Sequence, residues 1–311
     1  MKMFLSVVNK FKRAITLLKR GAQPSVSGIL ESSEDKEKVT LKKGRKAGNK
    51  WDEHLEVIKT EFINNPMSFL RQPELSLTVH PNQQKIASLY LQDMRKSSFA
   101  RTKLLARLQD VPIGDPYLCE DFPLASPMSI QHARYIMLLK QHLDLFIPES
   151  KLGHIVEFGG GYGNFCRLTF SLGYSKEYDI IDFPEMHSIQ GHYLKHALPE
   201  RTIEKNVSFC SIEDVANKSF NNEKSLFMAT FSLNETPIEV REQVEPLIKN
   251  FDYLFFAYNR KFDGIDNLAY FEKIKQQLSS EYDLKIVKDD HRPAWFMVGK
   301  KNHNGSASSE N

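Results

Sequence analysis

From residue 154 onward, short apolar runs alternate with stretches in which apolar residues recur every three to four positions. The short runs predict buried strands, and the longer stretches predict helices. Alternation of the two is typical of an α/β fold with a doubly wound sheet. The predicted strands are residues 154–158, 178–182, 206–210, 225–230, 252–257, 284–288 and 295–300. The predicted helices are residues 164–172, 185–197, 238–249 and 267–280.

The last two predicted strands have no helix between them, only residues 289–293. Such a short connection joins antiparallel neighbours, so the seventh strand is expected to be antiparallel. This expectation separates the pattern from the all-parallel sheet that is typical of dehydrogenases. The sequence therefore predicts a Rossmann-like, seven-stranded α/β sheet with an antiparallel last strand.

Upstream of the sheet, apolar residues recur at helical spacing over residues 51–64, 82–109 and 127–146. Prolines at positions 66, 73 and 81 interrupt the pattern between the first two stretches. Residues 51–148 are therefore predicted to form a mostly helical segment in front of the sheet domain, which spans residues 149–302. The polar tail, residues 303–311, is expected to be disordered.

Charge divides the chain into a basic arm and a mildly acidic body. Residues 1–50 contain 13 Lys/Arg and 4 Asp/Glu, a net charge of +9, whereas the whole chain has a net charge of only +3. Residues 3–20 fit an amphipathic helix that is solvated or bound to a partner, with a helix on an anionic membrane surface as the alternative. Residues 21–50 predict a flexible linker. Because the body is acidic, no specific nucleic-acid partner is expected.

The three cysteines, Cys119, Cys166 and Cys210, are odd in number and far apart, which argues against a disulfide framework. Basic residues interrupt the apolar run near the N-terminus, so the segment does not look like a signal peptide. No stretch approaches the ~20 apolar residues of a membrane span. We expect a cytoplasmic protein, with contact to the inner face of the membrane through the basic arm as an open alternative.

The first predicted strand leads into a glycine-rich turn. Glu157 lies near the end of the strand, and Gly159, Gly161 and Gly163 follow at alternate positions before a helix that opens at Asn164. Strand, glycine turn and helix form a nucleotide-binding unit, because a ligand can approach the backbone and the N–H groups of the helix N-terminus. The dinucleotide fingerprint GxGxxG would need glycine where Asn164 stands.

The pattern that is present, ExGxGxG over residues 157–163, resembles the first motif of class I S-adenosylmethionine (SAM) methyltransferases. The resemblance implies that the turn wraps the methionine end of SAM, with Glu157 close to its charged amino-acid portion. The predicted seven-stranded sheet is also the arrangement of that class. The alternative is a tight turn that binds no ligand.

Ligands of open α/β sheets bind beyond the carboxyl ends of the strands, which selects further candidates. Asp182 ends the second predicted strand, where a carboxylate can accept hydrogen bonds from both ribose hydroxyls. It could instead be an acid at a helix N-terminus. Phe183 is placed to pack on the adenine ring. Another adenine contact is expected among residues 211–214, with Asp214 as a candidate. Any of these residues could instead cap a short helix.

The loop after the fourth predicted strand carries Asn234 and Glu235, beside the expected position of the reacting methyl group. Glu235 is a candidate general base, or else it caps the helix predicted at residue 238. His291, in the last hairpin, is the second candidate base because imidazole titrates near neutral pH. A loop histidine is more often simply exposed to solvent. No metal-ligand set stands out, so dependence on a divalent metal is left open.

Several blocks together resemble the sugar O-methyltransferase family of bacterial surface-polysaccharide clusters. The blocks are residues 156–163, 178–185, 190, 193–194 and 231–237. Residues 113–116 resemble a Gly-Asn-Pro element of that family, with Asp115 in place of Asn, and Thr236 replaces a Met in its Ser-x-x-Glu-Met-Pro-like loop.

The similarity covers residues 51–300 or so and excludes the basic arm. It implies a cytoplasmic enzyme that methylates a hydroxyl of a nucleotide sugar or a lipid-linked glycan, with residues 51–148 shaping the acceptor pocket. Two alternatives stay open: a methyltransferase for a non-sugar small molecule, and a SAM-fold scaffold protein without turnover. The Asp/Asn-Pro-Pro-Tyr/Phe signature of amino-methylating enzymes is absent after the fourth strand.

Overall fold

The structure is a computed structural model that describes residues 50–211, 214 and 224–302. The predicted basic arm, apart from residue 50, and the predicted disordered tail lie outside the described residues. Ile212 and Glu213 lie outside them as well. The described chain divides into two compact units, and the division falls between Arg134 and Tyr135.

The first unit is helical in its described part. Its elements are α1 (Lys50–Asn64), a 3-10 turn (Phe69–Arg71), α2 (Pro73–Thr78), α3 (Gln84–Lys96), a π-helical turn (Ala100–Leu105) and the first part of α4 (Pro127–Leu143). The continuous helix expected over 82–109 is wrong, because Ser97 adopts an extended backbone conformation and ends α3. The Ser97 hydroxyl then accepts a hydrogen bond from the N–H of Ala100 at 3.2 Å. A serine at a helix end thus overrides the apolar periodicity on either side of it.

The Gly-Asp-Pro element of the first unit forms a strained turn. Asp115 has a φ of 54°, a value that non-glycine residues seldom adopt. Its Oδ1 accepts a hydrogen bond from Nη2 of Arg71 at 3.3 Å, and its Oδ2 lies 3.2 Å from Nε of the same guanidinium. The guanidinium of Arg71 also lies 3.8 Å from the ring centre of Tyr117. This paired arginine holds the turn in its unusual conformation.

The second unit contains a seven-stranded sheet. Its strands are β1 (His154–Phe158), β2 (Glu177–Ile181), β3 (Val207–Cys210), β4 (Ser225–Thr230), β5 (Tyr253–Asn259), β8 (Tyr282–Lys288) and β9 (Ala294–Lys301). They lie in the order β3-β2-β1-β4-β5-β9-β8. The first five are parallel, and β9 runs antiparallel to both of its neighbours. The predicted fold class is confirmed, including the antiparallel last strand.

Four of the remaining helices of the second unit lie close to their predicted positions. The remaining helices are α5 (Asn164–Ser171), α6 (Pro184–Ala197), α7 (Glu200–Asn206), α8 (Ile238–Ile248) and α9 (Asn267–Leu278). The short helix α7 was not predicted. Neither was a small hairpin of β6 (Lys261–Phe262) and β7 (Ile265–Asp266), whose connecting residues Asp263 and Gly264 have φ values of 43° and 88°. An Asp-Gly pair with two positive φ angles is the preferred two-residue hairpin turn.

The central strands of the sheet are buried, and their order locates the expected ligand crevice. All five residues of β1 are buried, and β4 and β5 are buried over nearly their whole length. Strands covered on both faces read as continuous apolar runs, which is why the sequence located them well. The strand order reverses between β1 and β4, and a ligand crevice is expected at the carboxyl ends of the strands at such a point.

Candidate active site

The glycine turn joins β1 to α5 in a conformation that depends on glycine. Gly159 and Gly163 have φ values of 72° and 90°, in the left-handed region that side chains disfavour. The N–H of Gly163 donates to the carbonyl of Gly160 at 2.9 Å, and Gly163 is the N-cap residue of α5. Gly161 lies between them with a φ of 55°. The turn therefore closes tightly and leads directly into the helix N-terminus.

Gly159 is also a point of close approach between two loops. A Cβ atom at this position would lie 2.2 Å from the Cβ of Ser232, in the loop after β4. The Ser232 hydroxyl donates a hydrogen bond to the carbonyl of Phe158, the last residue of β1. The glycine turn and the loop after β4 are thus in direct contact at the point where the strand order reverses.

Adding one methyl group at this contact should be costly. We expect Gly159→Ala to lower the free energy of unfolding by about 2–4 kcal/mol, because it combines backbone strain with an overlap against Ser232. Gly191→Ala is the matched control, since a Cβ at Gly191 in α6 meets no atom within 4 Å. That control should gain about 0.5–1 kcal/mol from helix propensity. Urea unfolding measures both, and equal stability of Gly159→Ala and wild type would refute the contact.

Glu157 is a buried carboxyl at the end of β1. Its Oε2 accepts a hydrogen bond from the hydroxyl of Tyr178 on β2, at 2.8 Å. Burial raises the pKa of Glu157 to about 8, the bond from Tyr178 opposes that rise, and the charge of Asp182 adds to it. A carboxyl in such surroundings favours a cationic group nearby, because a positive charge offsets the cost of ionisation.

Asp182 is buried directly after β2 and is held by three donors. Oδ1 accepts from the N–H of Phe183 at 2.9 Å, and Oδ2 accepts from Nε2 of Gln190 at 2.7 Å. Burial raises the pKa of Asp182 to about 7, and the bonds from Phe183, Gln190 and the N–H of Gly160 oppose that rise. A carboxylate has about four lone-pair positions, so Asp182 keeps capacity for hydroxyl donors of a ligand.

The two candidate adenine contacts differ in their surroundings. Phe183 is half-buried and precedes α6, next to Asp182. Asp214 is exposed in a turn after β3, where its Oδ2 accepts from the hydroxyl of Ser211 at 2.6 Å. The backbone N–H of Phe183 donates to Asp182, and an adenine contact by its ring stays a prediction. The role of Asp214 stays a prediction.

The loop after β4 contains a 3-10 turn, Leu233–Glu235. Oε1 of Glu235 accepts from Nδ2 of Asn259, at the end of β5, over 3.1 Å. Burial raises the pKa of Glu235 to about 7, with the bond from Asn259 opposing the rise. The cap position of α8 is occupied by Pro237, which makes no side-chain cap bond. Glu235 is therefore oriented by Asn259, as a candidate base would need to be.

Asn234 is almost fully buried beside Glu235, at 1% exposure. Neither Oδ1 nor Nδ2 of its amide has a hydrogen-bond partner within the described part of the chain. An unpaired buried amide costs free energy, and such groups occur where a ligand or an ordered water is the missing partner. The carbonyl of Asn234 is paired, since it accepts from Nη2 of Arg241 at 2.7 Å.

Arg241 anchors this loop from the first turns of α8. The side chain is fully buried, and its Nε donates to the carbonyl of Thr236 at 3.0 Å. Its Nη1 donates to Oδ1 of Asn267 at 2.9 Å, and the guanidinium lies 4.6 Å from the ring centre of Tyr270. Together with the bond to Asn234, these contacts fix both ends of the segment that carries Glu235.

The sequence carried a signal for Arg241, although it was not among the predicted site residues. Arg241, Val244 and Ile248 share one stripe of α8 at helical spacing, and all three are buried. An arginine on an otherwise apolar stripe must find acceptors inside the protein, because a buried charge without partners is very costly. The position therefore indicated a buried polar network, but not which loop it would hold.

His291 lies in the connection between β8 and β9, which reaches the same edge of the sheet. Residue 294 pairs with Asn259, so the connection is adjacent to the end of β5. The backbone N–H of His291 donates to Oδ1 of Asp289 at 2.9 Å. The next residue, Arg292, stacks 4.4 Å from the ring centre of Phe231, in the loop after β4. His291 is half-buried, and its role as a base stays a prediction.

Metal-binding clusters and membrane-spanning helices are both absent from the described residues. Across residues 50–211, 214 and 224–302, no cluster of three or more His, Cys, Asp or Glu side chains forms a metal site. Over the same residues, no helix is both long and apolar enough to cross a bilayer.

Comparison with known proteins finds solved structures of distant similarity. No family model and no curated protein matches the chain. The methyltransferase domain of bacterial CtHen1-CN superposes with a TM-score of 0.40 at 12% identity, over 55% of this chain and 97% of that one. Precorrin-6y C5,15-methyltransferase from Geobacter metallireducens GS-15 superposes with a TM-score of 0.39 at 10% identity, over 60% and 93%.

Proposed function

We propose that this protein is a SAM-dependent methyltransferase. The observation that carries the proposal is the joining of Glu157, the glycine turn and Asp182 at the carboxyl edge of the sheet, where the strand order reverses. One residue, Gln190, donates to both Asp182 and the carbonyl of Gly161. The acid and the turn are thus built as one unit, which a turn without a ligand would not require.

The donor and acceptor groups of this unit fit SAM. Glu157 suits the positively charged amino-acid portion, Asp182 suits the two ribose hydroxyls, and Phe183 suits the adenine ring. The raised pKa values of Glu157 and Asp182 support a cationic ligand, since each carboxyl gains most from a nearby positive charge when it is buried. When bound, SAM supplies a methyl group activated by a positively charged sulfur.

We further propose a sugar hydroxyl as the acceptor. Support comes from polar groups at the ends of β4 and β5. Asn234 and Glu235 are consecutive in the loop after β4, and the amide of Asn259, at the end of β5, donates to the Glu235 carboxyl. Such groups bind hydroxyls well, and Glu235, with a pKa of about 7, is matched to proton abstraction near neutral pH. The protein's remaining task is to align the hydroxyl oxygen with the methyl group. The sequence resemblance to sugar O-methyltransferases favours the same acceptor class.

The cofactor proposal is tested by calorimetric titration of the full chain with SAM and, separately, with NAD. Binding of SAM but not of NAD is expected, because Asn164 breaks the dinucleotide pattern. Absence of SAM binding would overturn the methyltransferase proposal. The acceptor proposal needs a second assay, the transfer of a labelled methyl group from SAM to nucleotide sugars, to non-sugar phenols and amines, and to RNA. Transfer to RNA or to a non-sugar alone would overturn the sugar assignment.

Glu235 provides the sharpest test of the catalytic arrangement. We expect Glu235→Gln to lower kcat by about 100- to 10,000-fold, the usual contribution of a general base, with SAM affinity unchanged. Glu239→Gln is the control, because Glu239 is exposed in the first turn of α8. Steady-state methyl transfer at saturating substrate measures kcat. If Glu235→Gln keeps its rate while His291→Gln loses it, the base is His291 and not Glu235.

A further inference from the structure

Gln190 connects three elements of the second unit through a single side chain. It lies in the second turn of α6 and is fully buried. Its Nε2 donates to Oδ2 of Asp182 at 2.7 Å and to the carbonyl of Gly161 at 2.9 Å. The residue after β2 and the turn after β1 are therefore held by one nitrogen atom on a rigid helix.

The two acceptors fix the orientation of the Gln190 amide, and this orientation costs free energy of folding. A carboxylate and a backbone carbonyl can only accept, so the nitrogen must face both of them. Its Oε1 is then left buried without a hydrogen-bond partner in the described ranges. An unpaired buried oxygen disfavours the folded state, and an apolar side chain of the same size would avoid that cost. Packing alone therefore does not account for glutamine at this position.

We propose that Gln190 is a positioning residue for cofactor binding. Its amide fixes the direction of the Asp182 carboxylate and the path of the glycine turn, so that both meet the ligand in one geometry. The inference rests on the proposed SAM-binding function and adds α6 to the two strand ends that form the site. Gln190 is not expected to contact the reacting atoms.

The hydrogen bond from Gln190 also has an electrostatic consequence at Asp182. A donor to a carboxylate favours its ionised form, so loss of the amide should raise the pKa of Asp182 above its present value of about 7. The other donors to Asp182 are the N–H groups of Phe183 and Gly160. The titratable neighbour is Glu157, which is itself bonded to Tyr178. Because both acids lie in one buried cluster, the pH profile of binding reports on this bond.

The test compares two neighbouring substitutions in α6 of the full chain. Gln190→Met keeps the length of the side chain and removes the amide. Ile189→Val trims one methylene from the adjacent residue, which is equally buried. SAM affinity is measured by calorimetry between pH 6 and pH 9, and thermal unfolding is measured in parallel. A purely structural role would lower the melting temperature without moving the pH profile.

For Gln190→Met we expect SAM affinity at pH 7 to fall by about tenfold, as for the loss of a charge-assisted hydrogen bond. The pH below which affinity declines should move upward, whereas Ile189→Val should leave affinity and pH profile unchanged. If Gln190→Met fails to fold, Gln190→Glu keeps the shape and should weaken binding even more through repulsion of Asp182. If a folded Gln190→Met variant binds SAM with the affinity and the pH profile of the wild type, this inference is overturned and the proposed function is not. Absence of SAM binding by the wild type would overturn it together with the proposed function.

Discussion

Asp182→Asn should weaken SAM binding by about 100-fold, or ~2.7 kcal/mol, while leaving the protein folded. The substitution preserves the shape of the side chain and removes its charge. The carboxylate of Asp182 already accepts from Phe183 and Gln190. Its remaining lone pairs are the ones proposed to bind the ribose hydroxyls, and a neutral amide offers fewer and weaker acceptors. Calorimetric titration with SAM measures the loss.

The pH dependence of SAM binding gives the same prediction a second readout. In the free protein the pKa of Asp182 is about 7, so the carboxyl is largely protonated below that pH. The proposed contact with the ribose hydroxyls requires the ionised form, so affinity should rise as pH increases through 7. Glu157, with a pKa of about 8, extends the rise to higher pH. Asp182→Asn should remove the part of the rise near pH 7.

A control on β2, the strand that precedes Asp182, separates binding from stability. Asp179 lies three residues before Asp182 and is also buried. Its Oδ2 lies 2.9 Å from Nε2 of His154, on β1. Asp179→Asn should lower stability with little change in SAM affinity. Equal losses of affinity in both variants would mean that Asp182 acts through folding. Undiminished binding by Asp182→Asn would remove Asp182 from the site.

Arg241→Met should lower the free energy of unfolding by about 3–5 kcal/mol, a large loss for a single substitution. Methionine fills much of the space but donates no hydrogen bond. The carbonyls of Asn234 and Thr236 and the side-chain oxygen of Asn267 would each lose a donor in a buried setting. Each buried acceptor left without a donor costs about 1–3 kcal/mol. Urea unfolding measures the total.

Two further variants test whether the loss of stability comes from the buried guanidinium of Arg241. Arg241→Lys keeps the charge but presents one ammonium in place of a planar fork, so it should recover only part of the loss. Arg201→Met, on the exposed face of α7, should be nearly neutral. A loss of less than about 1 kcal/mol for Arg241→Met would show that water replaces its hydrogen bonds, and that the loop does not depend on it. In the folded fraction of Arg241→Met, methyl transfer should fall along with the order of the Glu235 segment.

The central strands β1, β4 and β5 could be predicted because burial on both faces leaves continuous apolar runs. The antiparallel last strand could be predicted because residues 289–293 are too few for a crossover. The hairpin of β6 and β7 was missed, although Asp263 and Gly264 are a strong turn signal. Strands of two residues are too short to show any alternation. The break at Ser97 was missed because apolar spacing continues on both sides of it.

Part of the candidate site could be predicted, because ligand-binding residues of an open α/β sheet lie at the carboxyl ends of its strands. Glu157, Asp182 and Glu235 all lie at such ends and all are oriented by a donor from another element. Those donors could not be identified from the sequence, because their identity depends on how side chains from separate segments meet. Gln190 is eight residues beyond Asp182, and Asn259 is 24 residues beyond Glu235, so no local pattern pairs them.

The contact between Gly159 and Ser232 limits how relatives of this chain can diverge. The two positions are more than 70 residues apart in sequence, yet they meet with no room for an added methyl group. A lineage that replaced Ser232 with a larger side chain would have to remodel the glycine turn at the same time, and the reverse also holds. The two positions should therefore covary, and a small residue at 232 should accompany glycine at 159 wherever this arrangement of loops is inherited.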